Sequence, residues 1–137
     1  MDLNKYIQYY IENNHFMREI GIRPVILETG HAEVELDIQE NSLNINGTLH
    51  GGVMFTMADV AAGCAARSHG ISVTTLSSNI NFIKTAQSGK VRAIANEVHQ
   101  GRTTGVYRVE VFDVKDALLA VSTFTFFFTG KPIETML

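Results

Sequence analysis

Between Val53 and Ser68 the chain carries almost no charge, and Ala58, Ala61, Ala62, Gly63, Ala65 and Ala66 stand where larger side chains would be expected. A helix this poor in charge is buried nearly all round. Its small side chains let a sheet approach closely. Gly70 offers a C-terminal stop signal.

The flanking sequence supplies strands to cover such a helix. His31 to Ile38 alternates, with Ala32, Val34, Leu36 and Ile38 on one side and Glu33, Glu35 and Asp37 on the other. That pattern is a half-buried strand. Val25 to Glu28 is its expected hairpin partner, turned at Thr29-Gly30. Residues 39–50 are polar and Asn-rich and read as a loop. Beyond the helix, strands are expected over 72–85, 89–100, 104–114 and 117–129, with turns at Ser88-Gly89, Gln100-Gly101 and Lys115-Asp116. In the third of these, Tyr107, Val109, Val111 and Asp113 share one face, and Val106, Arg108, Glu110 and Phe112 the other. Phe124, Phe126 and Phe128 also share a face. Upstream, Leu3, Tyr6, Ile7, Tyr10 and Ile11 fall at helical spacing and predict a short amphipathic helix. A further turn is expected over His15 to Ile20 before Gly21, and Pro24 favours extended chain. The order is helix, two strands, buried helix, four strands. It predicts an α+β architecture in which a long antiparallel sheet wraps one central helix. One domain over 1–137 is expected, with 1–20 as a helical segment and 21–137 as the core.

Composition narrows the function. A chain of 137 residues, 45% hydrophobic and 18% charged, is globular rather than disordered. Eleven basic against fourteen acidic residues give a net charge of −3, so no basic field draws nucleic acid. Cys64 is the sole cysteine, which excludes an internal disulfide and a Cys-rich metal site. It reads as a small packed hydrophobe. His15, His31, His69 and His99 lack metal-ligand spacing. Met1 to Asn14 has no signal-peptide pattern. The longest apolar run, Ala117 to Phe128, contains Ser122, Thr123 and Thr125 and falls short of the ~20 residues of a membrane span. A cytoplasmic protein without membrane, metal or cofactor is expected.

Chemistry concentrates in Asn44-Ile45-Asn46-Gly47-Thr48-Leu49-His50-Gly51-Gly52 and the helix it enters. Two glycines allow a ligand close to the backbone. The first amides of a helix lack intrahelical acceptors and point outward with the positive end of the dipole behind them. Such a group can hold a carbonyl oxygen that becomes negative during acyl transfer. Asp59 follows in otherwise apolar helix. A carboxylate there is costly unless paired or hydrogen-bonded, and a partly desolvated one is a candidate base or nucleophile. The bland alternative is a structural Asp capping a neighbouring loop; the His-Gly-Gly entry favours the functional one.

His50-Gly51-Gly52, followed by Asp59 and Ala61, resembles the signature of the PaaI-type hotdog-fold acyl-CoA thioesterases. Asn79-Ile80-Asn81-Phe82, then Gly89 and Ala93, then Gly101-Arg102-Thr103-Thr104-Gly105-Val106-Tyr107, continue the likeness over residues 20–129. The resemblance implies that Asp59 activates water or attacks as nucleophile, and that the Gly51 amide polarises the thioester carbonyl. It places Asn44 beside that carbonyl, His50 near the leaving sulfur and Thr75 near the attacking water. It also implies an active site split between the subunits of a homodimer, commonly within a homotetramer. The coenzyme A phosphates need cations. Arg102 with Thr103 is the first choice, with Lys84, Lys90 and Arg92 also available. Met54, Met57, Phe82 and residues of the N-terminal segment are candidates for the acyl pocket. Rival readings are a non-catalytic acyl-CoA sensor and an enoyl-thioester hydratase. A serine lipase is excluded by the lack of a Gly-x-Ser-x-Gly elbow.

Overall fold

A computed structural model describes residues 1–137. In chain order the elements are α1 (Leu3–Asn13), α2 (His15–Ile20), β1 (Arg23–Glu28), β2 (His31–Asp37), α3 (Gly51–Arg67), β3 (Ile71–Phe82), β4 (Lys90–Gln100), β5 (Thr104–Phe112) and β6 (Leu118–Pro132). Short 3₁₀ turns lie at Glu40–Ser42 and Ile133–Met136. All strand pairs are antiparallel, in the order β1-β2-β4-β5-β6-β3.

The small side chains of α3 do what their size allows. Ala58, Ala61, Ala62, Ala65 and Ala66 are fully buried, and the helix packs chiefly on β2, β4 and β5. Facing them are Val34 and Leu36 of β2, Val91, Ala93 and Ala95 of β4, and Val109 and Val111 of β5. Phe124 and Phe126 of β6 stack with centroids 6.2 Å apart and complete that face. Cys64 is buried within this packing. No helix is long and apolar enough to cross a membrane.

The N-terminal helices are closed by local chemistry. Asp2 accepts from the Asn4 and Lys5 N–H groups at the start of α1, and Asn14 caps α2 through the Met17 N–H. Gly21 ends α2 at φ +85°, a conformation that suits glycine. Tyr6 of α1 is buried, and Tyr10 and Ile11 pack against the core.

Several expected boundaries move. The central helix begins at Gly51, not Val53, because the His50 side chain caps it by accepting from the Gly52 N–H at 2.8 Å. β3 stops at Phe82 rather than 85, where the Ile83 and Lys84 N–H groups both turn to the Leu119 carbonyl. β6 runs beyond 129 to Pro132, which pairs with Ile71. The 39–50 loop is tightened by a bridge between Leu43 and Leu49.

β3 is an unusual edge. It is twelve residues long, contains no charged residue and buries only Val73.

Close approach of α3 to the sheet predicts intolerance to bulk. Ala61→Leu should destabilise the fold by about 1–3 kcal/mol, read as a lower urea midpoint at unchanged m-value. An unchanged midpoint would show that the helix has room the packing denies.

Candidate active site

The entry to α3 is built by its own loop. Asn44 Oδ1 accepts from the Asn46 N–H at 2.9 Å and from the Thr48 N–H at 3.2 Å, while Asn44 Nδ2 donates to Thr48 Oγ1 at 2.9 Å. The Asn44 N–H donates to the Thr48 carbonyl, and the His50 N–H to the Ser42 carbonyl, both at 2.8 Å. His50 Nδ1 is the acceptor for Gly52, which places the ring proton on Nε2. With the Gly52 N–H taken and the Val53 N–H bonded to the His50 carbonyl, the Gly51 N–H has no acceptor within the chain. It is a free donor at the positive end of a seventeen-residue helix.

Gly51 also packs closely against Phe82. A Cβ there would meet the Phe82 ring at 3.2 Å. Asn44, Gly51, Met54, Phe82 and Lys84 line one open cavity of about 500 Å³. Five sequence-selected residues are therefore brought together. Met57 is not among them; it is wholly buried and belongs to the core.

Asp59 stands apart from that cavity, on the same helix and half-buried. Its Oδ1 accepts from the Thr75 hydroxyl at 3.0 Å, so Thr75 positions the carboxylate directly. Burial raises the Asp59 pKa above the usual carboxylate value, and the Thr75 hydrogen bond and the Arg67 charge only partly offset it. Burial also pushes the Cys64 thiol up to about 12, which leaves no thiolate nucleophile near neutrality.

The candidate phosphate contacts separate. Lys84 lies in the cavity of Gly51. Lys90 is paired with Glu35 at 3.1 Å, and Arg92 with Asp116 at 2.6 Å. Arg102 lines a different cavity of about 280 Å³ with His69 and Gln100, and Thr103 lies in the adjoining β4–β5 turn. There Glu97 accepts from the Tyr107 hydroxyl at 2.9 Å and also bonds the His69 ring. His31 is held by Asn96 and Glu33.

Sequence reasoning missed Arg67, which lies against the tyrosines of the N-terminal helix. The Arg67 guanidinium lies 5.6 Å from the centre of the Tyr10 ring. Asp59 and Arg67 are the two charged residues of α3, and their spacing of eight puts them on one face with Gly63 between. That spacing was the available signal.

Residues 46–120 match the thioesterase superfamily. The acyl-coenzyme A thioesterase PaaI of Escherichia coli is 30% identical over 80% of this chain and 79% of its own length. The solved structure of the E. coli PaaI protein superposes with a TM-score of 0.90 at 26% identity, covering 95% of each chain. A 1,4-dihydroxy-2-naphthoyl-CoA hydrolase of Listeria monocytogenes is 35% identical over 77% of this chain and 89% of its own length. A Streptococcus mutans protein solved with acetyl-CoA bound is 36% identical, with a TM-score of 0.78 over 82% of this chain and 91% of that one.

Two measurements test the electrostatics of Asp59. Thr75→Val removes a hydrogen bond that favours the charged carboxylate, so the Asp59 carboxyl should titrate at higher pH by carbon NMR; a downward move would break the assignment. The raised folded-state pKa means that Asp59 contributes stability below its unfolded pKa and loses it as pH rises through the folded value. Asp59→Asn should therefore raise Tm at neutral pH, with the gain shrinking as the pH is lowered. A lower Tm at pH 7 would show a carboxylate that the fold favours.

Proposed function

The chain belongs to the thioesterase superfamily and has its hotdog fold, and on that premise we propose that it hydrolyses acyl-CoA thioesters to free acid and CoA at a site shared by two copies. The observation that carries this reading is the division of labour along α3. The free Gly51 N–H and the half-buried Asp59 are eight residues apart, about 12 Å along the axis at the helical rise. One thioester cannot touch both within one protomer. A second copy, turned about a two-fold axis, brings its Gly51 opposite the first copy's Asp59.

β3 supports the pairing. Its free edge is long and uncharged, with Leu76 and Phe82 exposed. Such an edge is a template for another strand, and a two-fold axis lets β3 pair with itself. Exposed Val98 and Phe127 leave apolar surface for joining two dimers as a tetramer.

In the proposed reaction Asp59 takes a proton from water as the water oxygen attacks the thioester carbon. The carbonyl π pair moves to oxygen, and the partner copy's Gly51 N–H with its helix dipole holds that charge. Collapse re-forms the carbonyl and breaks the C–S bond, and coenzyme A leaves as thiolate. In the alternative course the Asp59 carboxylate itself attacks the thioester carbon and the C–S bond breaks, releasing coenzyme A as thiolate and leaving an anhydride that water then hydrolyses to the free acid and Asp59; ¹⁸O from labelled water would enter Asp59 only in that case. Asn44 holds the loop that presents Gly51. His50 caps the helix and aims its Nε2–H outward, toward the leaving sulfur. Lys84, in the same cavity, is assigned to the coenzyme A phosphates. Arg102 and Thr103 are a second contact from a neighbouring copy, and Lys90 is spent on Glu35. Met54 and Phe82 form the acyl wall for an aryl or medium-chain group. The relatives named for CoA thioesters, and the one solved with acetyl-CoA, support coenzyme A as the carrier.

Complementation tests the shared site. Proline is well suited to the first position of a helix, so Gly51→Pro deletes the N–H while α3 persists; Gly51→Ala adds the same Cβ but keeps the donor. Gly51→Pro should lose about 10²–10³ in kcat, Gly51→Ala much less, and Asp59→Asn about 10²–10⁴. Subunit exchange between the Gly51→Pro and Asp59→Asn proteins should restore about a quarter of wild-type thiol release, since half of the dimers then hold one intact site. No recovery would break the two-copy arrangement. Acyl-CoA bound without thiol release would favour a sensor, and loss of an enoyl double bond a hydratase.

A further inference from the structure

A guanidinium without a counter-ion lies on the Asp59 face of α3. Arg67 forms no ion pair, and unlike Arg18, Arg102 and Arg108, which also lack one, it is not exposed. Its side chain folds back along the helix, so that a Cβ on Gly63 would stand 2.6 Å from Nη1. The charged head thus sits about 6 Å, one helical turn, from the level of Asp59. Arg67 opens into a cavity of about 310 Å³ between α1, the start of β3 and the C-terminal turn, lined also by Tyr6, Tyr9, Tyr10, Ser72 and Ile133. None of the residues lining it is acidic. The Tyr6 hydroxyl is buried there with no hydrogen-bond partner.

The guanidinium is desolvated by burial and faced only by Tyr6, the Tyr10 ring and, a turn away, Asp59, and the Tyr6 hydroxyl has no acceptor; both groups gain from an added acceptor. Both are met by an oxygen acceptor that enters the cavity with negative charge. Guanidinium geometry suits a carboxylate, which can take two parallel N–H bonds. Along α3 the cavity lies beyond Asp59, on the side away from that copy's own Gly51 and Lys84. We infer that this cavity receives the far end of the acyl group and that Arg67, with Tyr6, selects acyl groups ending in a carboxylate. The preferred substrates are then half-thioesters of short dicarboxylic acids. The inference rests on the hydrolytic reading, and it makes Arg67 a specificity residue, distant from the bond that breaks.

Matched pairs of substrates test it. Wild-type protein should hydrolyse adipoyl-CoA with kcat/KM at least about tenfold above hexanoyl-CoA. Arg67→Met should abolish or invert that ratio, with the loss on adipoyl-CoA falling chiefly on KM and any loss shared by hexanoyl-CoA reporting the charge that Arg67 lends to Asp59, and Arg67→Lys should restore part of it. Tyr6→Phe should lower the ratio less. Equal rates on the two substrates in wild type, or a substrate ratio that Arg67→Met leaves unchanged at an unchanged Tm, would overturn the inference and leave hydrolysis standing. Titration with the non-hydrolysable thioether analogues of both substrates separates the two readings. Arg67-dependent preference for the carboxylated analogue in a protein that releases no thiol would uphold the cavity and remove the hydrolase. Weaker binding of free CoA by Arg67→Met would assign the cation to phosphate instead and overturn the selection.

Discussion

Contact between a helix of small side chains and the sheet that wraps it is the constraint on which the rest depends. Ala58, Ala61, Ala62 and Ala65 bring the α3 backbone close to β2, β4 and β5. Close packing of this kind leaves little freedom to shift or rotate. It holds the α3 N-terminus at one end of the sheet, with the Gly51 N–H unclaimed, and Asp59 two turns further on. A helix held by larger, more flexible side chains would place those two groups less exactly relative to each other and to the β3 edge.

The same burial creates the chemistry. Asp59 is desolvated enough to lift its pKa, yet Thr75 and the Arg67 charge keep it from rising freely. A carboxylate so placed costs stability at neutral pH and is a stronger base for it. At the other end, His50 takes the Gly52 N–H and leaves Gly51 free. One hydrogen bond thus decides which amide of the first turn is available.

Much of this was legible along the chain. Alternation in His31–Ile38 and in Val106–Asp113 marked strands correctly because each has one buried and one open face. The run at 53–68, whose only charges are Asp59 and Arg67, marked the central helix because a helix apolar nearly all round must be buried. β3 could be found but not understood from its sequence. Its residues carry strand propensity, yet it buries only Val73, and exposure on both faces is a property of its place at the edge. Helix onset was misplaced by two residues because Gly51 and Gly52 look like breakers until a side chain caps them. Met57 and Phe82 were alike as apolar candidates, and only packing sent one to the core and the other to a cavity.

By itself the sequence determined the order of elements, the buried helix and the residues able to polarise a carbonyl or take a proton, since periodicity and residue chemistry are local properties. Tertiary structure alone decided which of them meet. It put Lys84 with Gly51 and Arg102 elsewhere, joined Thr75 to Asp59, and left Arg67 facing a cavity without a counter-ion. Those outcomes depend on distances between segments far apart in the chain, which no local pattern of residues encodes.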